Sequence, residues 1–319
     1  MRRAGALSIC ILVLLFSAAC ATGGRKSEKA TEKALAQIKK ERRAKEFAQA
    51  REDKVEPEAG LTADEYELRG DEFLRQGNYG LAFLQYSKAH ALLPSGFRLR
   101  YKIGRLYIAK DLLPDALAHF ESMLRDFPEN ALTYEGLGRV YMASGDLEKA
   151  EKNLEEAARR SPALWESYNL LGMISDRKKE FEKAEGHYSR AIALKPEEAA
   201  LFNNMGISFY LAGKYENAAG AFSEAIRLSP RERTYNKTYN NLGLALAGLG
   251  RYSDALENFK KAAPEHIAYN KLGTIYFQEG KYEKAALAFE KALDLSPTFY
   301  ADASQKLARS REALLGEDP

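Results

Sequence analysis

The chain has 319 residues, with 48 Lys and Arg against 45 Asp and Glu, and its formal charge of +3 gives no electrostatic footprint for nucleic acid. It carries two cysteines, Cys10 and Cys20. Removing the first with a leader leaves one, so the mature chain can form no intramolecular disulfide.

The opening "MRRAGALSICILVLLFSAAC" has two arginines, an uncharged apolar run, and small residues before Cys20. These are the parts of an export signal, and residues 1–19 are assigned to it. The stretch "FSAAC" resembles a bacterial lipobox, in which the cysteine is lipidated and becomes the mature N-terminus. Ser17 departs from the leucine usual three positions before the cysteine. The resemblance implies that Cys20 carries acyl chains, which hold a protein on a bilayer. Ala21 in place of aspartate implies, by the same resemblance, sorting to the outer membrane, facing the periplasm.

Without Arg2 and Arg3 the net charge from residue 20 onward is +1. Residues 20–62 read as a lipidated, charged tether, partly helical. Its segment 25–60 has 11 Lys and Arg, 8 Asp and Glu, and few large apolar side chains beyond Leu35, Ile38 and Phe47.

Self-similarity governs the rest. Gly70, Gly104, Gly138, Gly172 and Gly206 stand 34 residues apart, and Gly243 and Gly273 follow at 37 and 30. Each glycine has the same companions: Phe202, Phe209, Gly213, Tyr215, Ala218, Phe222, Ala225 and Pro230 around Gly206 recur as Tyr269, Tyr276, Gly280, Tyr282, Ala285, Phe289, Ala292 and Pro297 around Gly273. This pattern resembles the tetratricopeptide repeat. The resemblance implies an all-α, right-handed superhelical solenoid of helix-turn-helix units, seven in number: 63–96, 97–130, 131–164, 165–198, 199–232, 236–265 and 266–299.

Within a repeat, positions 4, 7 and 11 make one apolar stripe and positions 20, 24 and 27 another. Small residues at 8 and 20, such as Gly206 and Ala218, let the two helices approach. Turn glycines Gly213 and Gly280 end the first helix, and Pro94, Pro128, Pro162, Pro196, Pro230 and Pro297 stop the second. Single pairs cannot bury their stripes, so neighbours stack. Residues 300–315 are amphipathic and are expected to cap the array, with Ala303, Leu307, Leu314 and Leu315 facing repeat seven. Repeat six gains residues at "RERTYNK" (231–237) and meets Pro264 three positions early, which predicts a change of pitch there.

No pattern of catalytic residues is present, and the chain is expected not to be an enzyme. The four histidines, His90, His119, His187 and His266, fall in different repeats without metal spacing and are expected to face outward or flank turns. There is no G-x-S-x-G motif and no phosphate-cradling glycine loop. No cofactor or metal is implied.

The first helix offers a polar face at positions 2, 5, 9 and 12, which lines the concave surface of tetratricopeptide arrays. Position 5 reads Glu67, Tyr101, Glu135, Asn169, Asn203, Asn240 and Asn270, and position 6 adds Asn204 and Asn241. Repeats one to three present charges there: Asp64, Glu67, Asp71, Arg98, Arg105, Glu135 and Arg139. An asparagine row can pair with the backbone of an extended peptide without reading its sequence. The candidate groove is therefore Asn169, Asn203, Asn204, Asn240, Asn241, Asn270, Tyr101, Arg105 and Arg139. The "NNMG" and "NNLG" stretches resemble the ladder of O-linked N-acetylglucosamine transferase at position 6, where asparagine can instead bond neighbouring helices. The lysine and asparagine at positions 5 and 9 by which chaperone adaptors grip a carboxylate are absent.

The stretches "NNMGISFYLAGKYENAAGAF", "ENFKKAAPEHIAYNKLGTIYFQEGKYEKAALAFEKAL" and "FYADASQKL" resemble the TadD group, repeat lipoproteins of tight-adherence (Flp) pilus assembly. The related type IV pilus pilotin group is similar. Either resemblance implies a membrane-tethered, non-catalytic scaffold binding protein or peptide segments, secretin or pilus components among them. The alternative is an adaptor docking a periplasmic cell-wall or polysaccharide enzyme.

Overall fold

The computed structural model describes residues 56–57, 60–228, 235–298 and 300–316. The signal segment, Cys20, the tether as far as residue 55 and the inserted residues 231–234 lie outside them. Fifteen helices occur among the described residues, and no strand. They divide into two compact units, split between Pro128 and Glu129.

The first unit holds α1 (Ala63–Arg75), α2 (Tyr79–Leu92), α3 (Phe97–Ala109) and α4 (Leu113–Asp126). The second runs through α5 (Ala131–Ser144), α6 (Leu147–Arg160), α7 (Trp165–Arg177), α8 (Phe181–Leu194), α9 (Ala199–Leu211) and α10 (Tyr215–Leu228). It continues with α11 (Tyr235–Gly248), α12 (Tyr252–Ala262), α13 (Glu265–Gln278), α14 (Tyr282–Asp294) and α15 (Ala301–Leu315). Odd and even members from α1 to α14 pair as hairpins, and within each unit successive hairpins stack. No described helix is long and apolar enough to cross a membrane.

Local chemistry sets the boundaries. At the first helix Thr62 and Glu65 form a capping box, with Thr62 N–H donating to Glu65 at 2.7 Å and Glu65 N–H returning to the Thr62 hydroxyl at 3.3 Å. The second helices end against proline. Leu93, Phe127, Ser161 and Lys195 each precede one and sit at φ between −133° and −141° with ψ between 61° and 88°. The proline ring pushes the preceding residue out of the α region. Ala263, before the early Pro264, is extended at φ −156° and ψ 165°, so α12 stops after 11 residues.

Position 15 of each repeat closes the first helix in the left-handed conformation. Glycine fills it in five repeats, but Asp111 and Lys179 adopt φ 59° and 61°. A Cβ there costs about 1–2 kcal/mol, and glycine's looser unfolded chain gives back about 0.5–1 kcal/mol. Lys179→Gly should therefore raise the midpoint of urea unfolding by the equivalent of about 0.5–1 kcal/mol.

The regular spacing of position-8 glycines has a sharper cause than the small-residue pairing expected from sequence. A Cβ on Gly206 would lie 2.7 Å from the Phe222 ring, and one on Gly273 would lie 2.7 Å from Phe289. Gly70 stands in the same relation to Tyr86, Gly104 to Phe120, Gly138 to Leu154, Gly172 to Tyr188 and Gly243 to Phe259. The large side chain at position 24 fills the space that the glycine leaves, and all seven are fully or nearly fully buried.

The capping expectation is corrected in part. Ala303, Leu307 and Ser310 form the buried face of α15, whereas Leu314 is 51% and Leu315 76% exposed. Ser310 tolerates burial because its hydroxyl donates to the Lys306 carbonyl at 2.8 Å. The apolar cluster that α15 joins, with Ala285, Ala286 and Phe289, reaches only as far as Leu307.

Candidate partner-binding face

The asparagine row is not a set of idle amides. Asn204 Nδ2 donates to Asn169 Oδ1 at 2.9 Å, and Asn241 Nδ2 donates to Asn203 Oδ1 at 3.3 Å, joined there by the Thr238 hydroxyl at 3.4 Å. In repeat seven Lys271 replaces the position-6 asparagine, and its ammonium donates to Asn240 Oδ1. In repeats five to seven the position-6 side chain thus reaches back to position 5 of the preceding repeat. These bonds tie neighbouring hairpins together at about 1 kcal/mol apiece. Replacing Asn169, Asn203 and Asn240 together would loosen the stack as well as alter the surface. Among the described residues their amide nitrogens have no hydrogen-bond partner, and those groups remain available on the half-buried face.

Asn270 departs from the expected groove. It is only 6% exposed, and its Nδ2 donates to Tyr300 at 2.9 Å and Asp302 at 3.0 Å. The capping helix has closed over it, so it is removed from the surface row.

The charges of repeats one to three are also largely occupied. Glu67, 6% exposed, pairs with Arg98 and Lys102, each at 2.7 Å. Arg98 reaches Asp64 at 3.1 Å, and Lys102 reaches Asp71 at 2.6 Å. Asp71 further accepts a 2.6 Å hydrogen bond from the Tyr86 hydroxyl. Burial raises its pKa, but the Lys102 and Tyr86 hydrogen bonds outweigh this and hold the carboxyl below the usual aspartate range. Glu135 is fully buried and paired with Arg139. Tyr101 is half-buried, stacked 6.3 Å from Phe97 and edge-on to Phe120, with the exposed Arg105 guanidinium 5.9 Å over its ring. In repeat one the charges at positions 5 and 9 are thus spent between helices, in repeat three Glu135 and Arg139 pair within one helix, and Arg105 stays exposed over Tyr101, which leaves less free charge than the groove expected from sequence.

Sequence reasoning missed why Asp71 and Asp176 are present. Repeats one and four carry tyrosine at position 24, and a buried phenol needs an acceptor. Tyr188 donates to Asp176 at 2.8 Å, as does the Ser208 hydroxyl at 2.6 Å. Among the described residues no cation pairs with Asp176, and burial pushes its carboxyl up. The signal was legible: tyrosine instead of phenylalanine at position 24, with an aspartate nearby on the facing helix.

All four histidines are half-buried; His90 and His266 flank turns, in the last turn of α2 and the first of α13, whereas His119 and His187 lie inside their helices and do not face fully outward. His119 Nε2 lies 2.8 Å from the Arg100 carbonyl, and burial holds His90, His119 and His187 below the ordinary imidazole range. Among the described residues no cluster of His, Cys, Asp or Glu could hold a metal ion.

Beside the asparagines lies an apolar strip that the polar pattern concealed. One turn on from Asn203 is Ile207, 36% exposed, and one turn further is Leu211, 55% exposed. Met173 and Leu244 stand at the same offset from Asn169 and Asn240, and both are partly buried. The face over α7, α9 and α11 therefore combines amide donors with aliphatic side chains, one set beside the other.

Stacked helix hairpins of 34 residues with this face make the molecule an array of tetratricopeptide repeats, a fold that serves as a protein-interaction scaffold. The chain belongs to the family of the cilia and flagella-associated protein 70 C-terminal domain, whose model matches residues 26–266, and a tetratricopeptide repeat model matches 266–299. No curated protein sequence matches it. Among solved structures, a thermophilic repeat protein of Thermus thermophilus is 20% identical, with TM-score 0.51 over 61% of this chain and 100% of its own. The pilF protein of Pseudomonas aeruginosa is 18% identical, with TM-score 0.51 over 66% of this chain and 96% of its own. A repeat protein of Parabacteroides merdae is 19% identical, with TM-score 0.49 over 78% and 98%. For the first two, at these identities, the likeness is one of fold.

Proposed function

We propose that this protein is a lipid-anchored, non-catalytic scaffold that holds an extended partner segment on the first-helix face of repeats four to six. The observation that carries this reading is the pairing of amide donors at Asn169, Asn203 and Asn240 with the exposed Ile207 and Leu211 beside them. Amides meet a partner's backbone carbonyls, and the aliphatic strip receives its side chains. Lipidation at Cys20 would fix one end to the outer membrane on its periplasmic side, and the tether would set the reach. The effective concentration of a captured segment at the membrane rises accordingly.

The resemblance of the C-terminal stretches to the TadD group supports a place in pilus or secretion-machine assembly. The rival occupant is a periplasmic cell-wall or polysaccharide enzyme. A photo-crosslinking residue at position 211, used in intact envelopes, separates them: recovery of a secretin or pilus component supports the first, and recovery of a wall or polymer enzyme replaces it. With the crosslinking residue moved to the exposed position 200, Ile207→Ser with Leu211→Ser should abolish the crosslink while leaving helicity unchanged. A crosslink that survives both substitutions removes the face from consideration. Cys20→Ser should move the protein from the membrane to the soluble fraction, and continued membrane association would overturn the anchor.

A further inference from the structure

Positions 3, 6 and 10 of a first helix turn toward the repeat before it. Thr238, Asn204 and Ser208, which hold these positions, reach back to Asn203, Asn169 and Asp176. Positions 3 and 10 are buried accordingly, as Leu99 and Leu106 are in repeat two. In repeat one the same three positions are Glu65, Leu68 and Glu72, and among the described residues no helix precedes them. Leu68 is 67% exposed there. On the second helices, Asn217 and Gly220 of α10 face α8 across an apolar groove. Their counterparts in α2 are Leu81, 38% exposed, and the half-buried Leu84. The open end of repeat one is therefore aliphatic, with carboxylates at 65 and 72. A terminal repeat that met only water would carry a polar outer face.

We propose that residues 44–55 of the same chain dock on this end. Connectivity favours them: Gly60, at φ 95°, turns the chain directly before the Thr62 cap, so the residues ahead of it can run back along α1. Their pattern fits the face. Ala44, Phe47, Ala48 and Val55 fall on one side of a helix, with Arg51 among them. Antiparallel to α1 with Phe47 on Leu68, this stripe sets Val55 beside Leu61 and Arg51 beside Glu65. Glu72 is held by Arg75 and Gln76, whereas Glu65, which accepts from the Thr62 cap, keeps lone pairs for the guanidinium. The extent of the family match agrees, since it begins at residue 26, well ahead of the first hairpin, and so takes the segment into the same domain. Docking withdraws these residues from the leash. A flexible chain of about 40 residues spans roughly 35 Å, and one of about 24 roughly 27 Å, so the docked state holds the array closer to the membrane. That consequence rests on the anchor reading above; the docking itself does not.

The test is hydrogen exchange read by mass spectrometry on the detergent-solubilised full-length protein. Amides of residues 44–55 should exchange at least about tenfold more slowly in the parent than in Leu68→Lys, a change that lies outside the segment and sets a cation where Arg51 arrives. Because Leu68 is exposed, circular dichroism should be unchanged by that substitution. Phe47→Ser should remove the protection from the other side of the contact, and Leu68→Met should retain it. Exchange at 44–55 as fast in the parent as in Phe47→Ser, or protection that survives Leu68→Lys, would overturn the inference. So would protection that disappears on dilution together with a dimer mass by light scattering, which gives the face to a second copy. The two readings fail separately. Protection at 44–55 in a protein that stays on the membrane as Cys20→Ser removes the anchor and leaves the docking. Release by Cys20→Ser with no protection at 44–55 removes the docking alone.

Discussion

Gly243→Ala is expected to lower the midpoint of urea unfolding, and Gly186→Ala to raise it. Both replace a helical glycine with the best helix former, a change that favours the helix by about 1 kcal/mol. At Gly186 the new Cβ meets nothing within 4 Å, so that gain stands alone. At Gly243 it would lie 2.5 Å from the Phe259 ring and 3.1 Å from the Ala255 carbonyl oxygen. The ring is fully buried and the carbonyl belongs to a helix, so neither gives way without displacing α12 from α11. Overpacking of this kind costs about 1–3 kcal/mol and outweighs the propensity gain. A Gly243→Ala protein as stable as the parent would show that the hairpins are packed more loosely than the seven glycine contacts indicate. The sign reversal between the two sites is the discriminating result.

The larger loss is expected from Lys102→Met. Its ammonium lies 2.7 Å from Glu67 and 2.6 Å from Asp71, and Glu67 is almost wholly buried. Removing one partner from a buried pair leaves an uncompensated charge, at about 3 kcal/mol. Arg98 remains on Glu67, which places the loss at the lower end of such cases. The pH dependence gives a second readout. The Asp71 carboxyl is depressed in the folded state, so its contribution is complete above the ordinary aspartate value of 3.8 and is lost as pH falls through the lower folded value. Without Lys102 that depression shrinks, burial dominates, and acid unfolding should begin at higher pH. An unchanged acid limb would show that the Tyr86 hydroxyl alone sustains the ionised form.

The candidate face was legible in part. Asn204 and Asn241 could be read either as surface amides or as bonds between hairpins, and both proved to be bonds, reaching Asn169 and Asn203. Asn270 matched its row in sequence position but lies under Tyr300 and Asp302. Nothing within repeat seven announces this, because the covering groups come from a helix outside the repeat. Ile207 and Leu211 were passed over for the opposite reason. Apolar residues on a helix are assigned to the core by default, and only the packed array shows which of them it leaves uncovered.

What the sequence determined by itself is the series of helices, their turns and their ends. Glycine at position 15, proline after the second helix and the 34-residue period act through backbone conformation within a few residues, and local chemistry of that kind is visible in one dimension. What the tertiary structure alone decided is which polar groups are occupied. Asn169 and Asn204 are 35 residues apart, Asn203 and Asn241 are 38 apart, and Glu67 reaches Arg98 and Lys102 from the neighbouring hairpin. A hydrogen bond or ion pair closes only when stacking brings its partners within about 3 Å. The spacing of the residues along the chain names the candidates; the stacking of the hairpins selects among them.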